Sequence, residues 1–178
     1  MTSYSILKTK SLGDLLLVAS ETKLTGIYFT NGKHAPDRKS DWADNPSHPV
    51  LKKVSAQIEE YLQGKRRNFS IPLASSGTDF QRAVWQQIER IPFGETISYT
   101  ELAKRAGAPK ASRAAGAATG RNPFTIIVPC HRVVGKDGGL GGYAGGLNRK
   151  KRLLEVETPE IGQAPGSRLL RKPEPSRR

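Results

Sequence analysis

The chain's one cysteine, Cys130, lies in the run Ile127-Val128-Pro129-Cys130-His131-Arg132-Val133-Val134. A single thiol cannot close an internal disulfide or build a multi-cysteine metal site. It is therefore either a small hydrophobe of the core, where free cysteine is usually found, or a nucleophile. Its neighbours favour the nucleophile. A histidine and an arginine directly after the thiol are groups that lower a thiol pKa and increase the share of reactive thiolate. In an extended segment adjacent side chains point to opposite sides, so a direct Cys130–His131 hydrogen bond is not expected. Cysteine hydrolases place nucleophile and base far apart in sequence, and the adjacent pair speaks against that class.

The elements that must hold this run can be read outward from it. Residues 121–134 read as a tight connection and a short extended run. Lys136-Asp137-Gly138-Gly139 reads as a turn and Leu140 to Gly146 as a glycine-rich loop. A last helix is expected from Leu147 to about Glu157, with Arg149, Lys150, Lys151 and Arg152 as a solvated basic face. Upstream, Thr78-Asp79-Phe80-Gln81 has the form of a capping box. It opens a helix to about Arg90 that buries Phe80, Val84, Trp85 and Ile88, and Pro92-Phe93-Gly94 breaks it. Ser98-Tyr99-Thr100-Glu101 is a second such box, opening a short helix that stops near Gly107. Lys110 to Thr119 forms the next helix, and two short helices joined by a Gly/Pro turn read as a helix-turn-helix.

The first part of the chain differs in character. Tyr4 to Lys8, Asp14 to Ala19 and Leu24 to Phe29 read as strands, residues 31–47 as a loop, and His48 to Gln63 as a helix with Val50, Val54, Ile58, Tyr61 and Leu62 at helical spacing. No cluster with obvious chemistry lies there, and support is its expected role. The expected fold is an α/β N-terminal domain, a small antiparallel sheet plus helix, followed by a mainly α C-terminal domain with a winged helix-turn-helix. The expected boundaries are 1–75 with a connecting segment, 76–159, and a disordered basic tail over 160–178.

Charge names a partner class. Lys plus Arg is 29 against 16 Asp plus Glu, a formal net charge of +13. This implies an anionic partner, usually nucleic acid. The second helix of the pair is nearly bare: Ala111, Ala114, Ala115, Gly116, Ala117 and Ala118. A major-groove reader would carry Arg, Asn or Gln to base edges. Small residues suit close packing on one face and shape-based minor-groove contact on the other. The N-terminus lacks a basic start followed by an apolar run, and Asp14 to Ala19 is too short to span a bilayer. A soluble cytoplasmic protein is expected, nucleoid-associated when bound to DNA and without membrane contact.

The stretch from Phe80 to Glu157 resembles the O6-alkylguanine-DNA alkyltransferases, which are suicidal DNA-repair proteins. Pro129-Cys130-His131-Arg132-Val133 matches that family's active-site motif. Ile97-Ser98-Tyr99, Ala114-Ala115-Gly116 after Arg113, Arg121-Asn122-Pro123, Gly142 to Leu147 and Leu153 to Glu157 follow in family order and spacing. The first 75 residues match more loosely. The resemblance implies irreversible, stoichiometric transfer of an alkyl group from O6-alkylguanine, and O4-alkylthymine, in duplex DNA to Cys130. Minor-groove docking and base flipping would precede it. A soft thiolate is well suited to attack on a saturated carbon, and water does not readily reverse the thioether.

The same resemblance implies the residue roles. His131 would activate Cys130 through a bridging water, with Glu157 on the other ring nitrogen. Glu155 is the nearby alternative, and a carboxylate at a helix end is ordinarily a surface group. Tyr99 would donate to guanine N3, although a tyrosine near a helix start can equally be a core residue. The Ala144 N–H would donate to O6, and the family often has serine at that position. The carbonyls of Cys130 and Val133 would accept from the guanine amine, Tyr143 would line the pocket, and Asn122 would tie the helix-turn-helix to the cysteine segment. Arg113 would fill the gap left by the flipped base, where an ordinary phosphate contact is the alternative. Ala114, Ala115, Gly116 and Arg121 complete the DNA-facing set. Some relatives bind zinc through N-terminal cysteines. This chain has none there, so no metal and no cofactor is expected. The partner is duplex DNA with alkylated guanine, with no obligate protein partner and a monomer that can cluster on DNA.

Two other classes compete. A catalytically dead lesion sensor shares the helix-turn-helix but replaces the cysteine, which is present here. A helix-turn-helix regulator with a structural cysteine would need base-reading side chains on 110–119 and a dimer interface.

Overall fold

The computed structural model describes residues 1–74 and 76–158. The tail over 160–178 lies outside the described residues. In the N-terminal half β1 (Ser3–Thr9), β2 (Gly13–Ala19) and β3 (Leu24–Phe29) form an antiparallel meander. The β1–β2 turn closes because Gly13 adopts φ +78° and the Thr9 hydroxyl donates to its carbonyl at 2.7 Å. One edge departs from the expected antiparallel sheet. Within the 31–47 loop, β4 (Ala43–Asp44) runs parallel to β1, so the sheet is mixed, in the order β3-β2-β1-β4. Ala43 N–H donates to Thr2 O and Asn45 N–H to Tyr4 O, both at 2.9 Å, which satisfies the open edge of β1. Two residues are too few to carry a strand period, so the sequence pattern could not reveal them.

Helix α1 (Pro49–Leu62) begins with His48 as cap and Pro49 in its first turn. It buries Leu51, Val54, Ile58 and Tyr61, spaced three or four apart, against the sheet. Helix α2 (Asp79–Glu89) has the expected reciprocal capping box between Thr78 and Gln81. It buries Val84, Trp85 and Ile88, while Phe80 is only partly covered. β5 (Ile97–Ser98) leads into α3 (Tyr99–Arg105), where the expected second box is only half made. Ser98 Oγ accepts from Glu101 N–H, but the Glu101 carboxylate turns outward to Arg105 at 2.8 Å.

The turn after α3 pivots on Gly107 at φ +81° and leads to α4 (Ser112–Gly120). Ala115 and Ala118 of α4 are buried, and the Trp85 indole N–H donates to Ala118 O at 2.8 Å. This approach of a tryptophan ring to a helix backbone needs a small-residue face. Ala115 is placed in the DNA-facing set by the resemblance. It is 0% exposed and belongs to the packing face, while Arg113, Ala114 and Ala117 point outward.

β6 (Val133–Val134) pairs parallel with β5, placing the cysteine segment beside the start of α3. α5 (Leu147–Glu157) closes the described fold. One continuous apolar cluster joins Leu15 and Leu24 of the sheet to Val84, Leu102 and Leu153 of the helices. A backbone bond also crosses between the halves, Ile27 N–H donating to Pro123 O at 2.8 Å.

Candidate active site

Cys130, His131 and Arg132 form a 3-10 turn rather than the expected extended run. Cys130 N–H donates to Val128 O at 2.8 Å and Arg132 N–H to Pro129 O at 2.9 Å. With about three residues per turn, the three side chains fan out in three directions. The turn before it is held by Asn122, whose Nδ2 donates to Val128 O at 2.8 Å while its Oδ1 accepts from Phe124 N–H at 2.9 Å. Ile126, between them, takes φ 74°. A β-branched residue occupies that region only under strain, at about 1–3 kcal/mol, which the surrounding structure must offset.

His131 is fully buried, and its Nε2 lies 2.7 Å from Glu157 Oε1. Glu157 is the glutamate that reaches the histidine, because it points inward from the last turn of α5. Glu155 lies on the partly exposed side, 3.7 Å from Arg152. The Glu157 carboxylate also accepts from Arg132 Nε and Nη2 at 2.9 Å, from the Tyr61 hydroxyl at 2.7 Å and from Gly94 N–H at 3.1 Å. Burial by itself would raise the Glu157 pKa. The hydrogen bond and charge of His131, and those of Arg132, outweigh burial and hold it far below the ordinary carboxylate range. For His131 burial wins over the attraction of Glu157, so its pKa is lowered and the ring is neutral at neutral pH. Nε2 then carries the proton given to Glu157. Nδ1 is left as an acceptor, buried and without a protein hydrogen-bond partner.

The Cys130 thiol is pushed up by burial, against the opposing hydrogen bonds of Asn122 and Thr125 and the charge of Lys150. At rest it is a protected thiol beside a neutral base. It borders a cavity of about 820 Å³ whose walls include Phe29, Tyr99, Arg113, Tyr143 and Ala144. Tyr99 donates to Gly142 O at 3.2 Å, and the Tyr143 hydroxyl lies 2.9 Å from Thr125 Oγ1. Arg113 and Arg121 are exposed at its rim on the α4 side. Gly116 faces Tyr99, with room for a Cβ at 3.7 Å, so packing inside the chain does not demand a glycine there.

Two parts of this region differ from what the sequence suggests. Val133 is fully buried and is not part of the cavity wall. Its carbonyl accepts from Lys150 Nζ at 2.6 Å, and its N–H donates to Cys130 O. Each of the two carbonyls thus accepts one hydrogen bond within the chain and keeps a second lone pair. The basic face of α5 is not uniformly solvated either. Lys150 is 0% exposed and also donates to Leu140 O and, at 3.0 Å, to Gly142 O, pinning the glycine-rich loop. Burial pushes its pKa down to about 8. Arg149 donates to Leu12 O at 2.6 Å and Gly145 O at 3.1 Å and covers the Phe29 ring. Only Lys151 and Arg152 remain on the exposed side. Sequence reasoning missed Tyr61, Thr125 and Lys150. Tyr61 was hidden in a helical core period and Lys150 in a run of basic residues. Among the described residues there is no group of three or more His, Cys, Asp or Glu that could hold a metal, and no helix long and apolar enough to cross a membrane.

Comparisons with known proteins identify the family. The profile of the "6-O-methylguanine DNA methyltransferase, DNA binding domain" matches residues 79–159, and that of the "6-O-methylguanine DNA methyltransferase, ribonuclease-like domain" matches residues 3–75. The chain belongs to the 6-O-methylguanine DNA methyltransferase family. It is 44% identical over 154 residues to the methylated-DNA--protein-cysteine methyltransferase of Methanosarcina acetivorans, covering 86% of this chain and 97% of the relative. It is 41% identical over 167 residues to the constitutive enzyme of that name from Bacillus subtilis, covering 88% and 96%. A crystal structure of Mycobacterium tuberculosis OGT in complex with DNA superposes with a TM-score of 0.81 at 39% identity, covering 88% of this chain and 93% of that one.

Proposed function

We propose that this chain is a direct-reversal DNA-repair protein. It binds duplex DNA through the α3–α4 helix-turn-helix in the minor groove, turns an O6-alkylguanine out of the stack and moves its alkyl group once and irreversibly to Cys130. O4-alkylthymine is a second substrate of the same chemistry. The observation that carries this reading is the buried Cys130-His131-Glu157 series opening on a cavity beside the exposed face of α4.

The steps follow from the groups present. The thiol proton passes to His131 Nδ1, through a bridging water, as Glu157, itself held in place by Arg132, steadies the imidazolium that forms. The sulfur attacks the alkyl carbon, a carbon–sulfur bond forms, and the carbon–O6 bond breaks with its electron pair leaving on guanine. Tyr99 protonates the departing base at N3, and the Ala144 N–H stabilises O6. The chain supplies no second nucleophile for the thioether, so each molecule acts once. Because a stacked base cannot reach a cysteine behind a cavity wall, extrusion must precede transfer. Arg113 occupies the gap. The division of labour we infer is support and cavity wall from residues 1–75, and DNA contact and transfer from 76–159. The protein works as a soluble monomer.

Incubation with benzylguanine followed by peptide mass spectrometry tests the assignment: one benzyl group should appear on the Cys130 peptide, and labelling elsewhere would refute it. Arg113→Ala should reduce repair of alkylated duplex far more than reaction with free benzylguanine, since only the duplex requires extrusion, at a few kcal/mol. Equal losses with both substrates would assign Arg113 to folding or chemistry. Binding to undamaged duplex should also be nearly sequence-independent. Its log–log salt slope should be roughly −3 to −6, from a few phosphates at about −0.9 each. A thousand-fold sequence preference in anisotropy titrations, or a flat salt dependence, would instead indicate a regulator.

A further inference from the structure

Tyr61 sits at the end of α1, in the half of the chain that carries none of the cysteine motif. Its side chain is fully buried, with the Phe69 and Phe93 rings at 5.5 and 6.2 Å. A phenylalanine would fill that space equally well. The hydroxyl is the costly part, because a buried polar group destabilises the fold unless it is bonded. It is bonded at the candidate active site. It donates to Glu157 Oε1 at 2.7 Å and lies 3.3 Å from His131 Nε2.

We propose that Tyr61 is a positioning residue of the Cys130 site, whose hydroxyl shares Glu157 Oε1 with His131 and so tempers the carboxylate's hold on the imidazole, with Nδ1 as the nitrogen available to the thiol. The inference rests on the alkyl-transfer reading above and adds a contribution from the N-terminal half to it.

The physical argument concerns one oxygen. Glu157 Oε1 accepts from three groups: His131 Nε2 at 2.7 Å, the Arg132 guanidinium at 2.9 Å from Nη2 and 3.2 Å from Nε, and the Tyr61 hydroxyl at 2.7 Å. Each donor takes up part of the carboxylate's charge. A carboxylate with three donors on one oxygen holds a proton on the neighbouring imidazole less strongly than one with two. The groups that face or bias His131 are Glu157 and Lys150 from α5, Arg132 and Cys130 from its own turn, and Tyr61 from α1. Arg132 and Lys150 repel an imidazolium and Glu157 attracts it. Tyr61 is the neutral group that moderates Glu157. Its long contact to Nε2 opposes this effect only weakly, because the hydroxyl proton points to the carboxylate.

Tyr61→Phe removes the hydroxyl and keeps the ring. In ¹⁵N NMR of the full chain, the His131 imidazole midpoint should rise by about one pH unit. The acid limb of benzylguanine transfer should move up with it. The rate on the acid limb should fall by up to about tenfold, the loss at neutral pH should be no more than about three-fold, and the two rates should converge at alkaline pH, where both imidazoles are neutral. Affinity for duplex DNA should not change. Phe69→Leu, which loosens packing on the same ring, should lower the melting temperature without moving the midpoint. An unchanged midpoint in Tyr61→Phe, or an equal movement in Phe69→Leu, would overturn the proposal. If the wild-type chain is not labelled at Cys130, the alkyl-transfer reading fails, and the NMR midpoint still decides whether Tyr61 sets the state of His131.

Discussion

Cys130→Ser is expected to abolish alkyl transfer, by at least about 10⁴-fold as for loss of an enzymic nucleophile, with binding to duplex DNA unchanged. The substitution keeps the size of the side chain and replaces a polarisable sulfur with an oxygen that is a poor nucleophile unless strongly activated. The site is built for a sulfur that is hard to ionise. Burial pushes the thiol up, and Asn122, Thr125 and Lys150 work against that push. The same contacts cannot bring a serine hydroxyl, far less acidic than a thiol, into reach of a single neutral imidazole. DNA binding should survive because Cys130 is only 6% exposed, while Arg113, Ala114 and Ala117 form the outward face of α4. Labelled benzylguanine and fluorescence anisotropy measure the two properties separately. Covalent labelling of the serine variant would overturn the assignment of the nucleophile.

Glu157→Ala should make the protein unfold more readily and also slow the chemistry. The buried Arg132 would lose its counter-ion, keeping the bond to Ile91 O at 2.6 Å and the face of the Phe93 ring at 5.8 Å. Breaking one side of a buried ion pair costs about 3–5 kcal/mol, enough to lower Tm by roughly 10 °C or more. Transfer by the folded fraction should fall on the order of 10²-fold, the usual contribution of a positioned base. The pH dependence has a definite sign. Glu157 is held below its unfolded pKa, so its stabilisation is complete above the ordinary carboxylate range and is lost as pH falls through and below it. His131 is also lowered, so acid favours the unfolded chain, whose histidine takes a proton more readily. Wild-type stability should therefore decline from about pH 6.5 downward, and more steeply through the carboxylate range. The alanine variant should lack that steeper part. Thermal melts across pH would contradict this if the two proteins kept a constant Tm difference down to acid pH.

The sequence alone determined most of what is encoded over a few neighbouring residues, although the Ser98–Glu101 box is only half made and the cysteine run forms a 3-10 turn. The Thr78–Gln81 capping box, the helix break at Pro92-Phe93-Gly94, the turn at Gly107 and the small-residue face of α4 are local, and the structure has each of them. The neighbours of Cys130 are local too, so the character of the motif was legible without coordinates. Tertiary structure decided the features set by partners far along the chain. The choice between Glu157 and Glu155 depends on which side of α5 turns inward toward His131, 26 residues away. The contribution of Tyr61 depends on a contact across 96 residues. A lysine in the run Arg149 to Arg152 reads as solvated because burying an ammonium is normally costly. The carbonyls of Val133, Leu140 and Gly142, brought together by the folded loop, make the exception at Lys150. Ala115 and Ala114 are alike in composition, and only the packing of Trp85 against α4 separates the inward one from the outward one. Periodicity and caps record local backbone preference. Whether a polar group is buried depends on whether the rest of the chain brings it a partner, and no single segment carries that information.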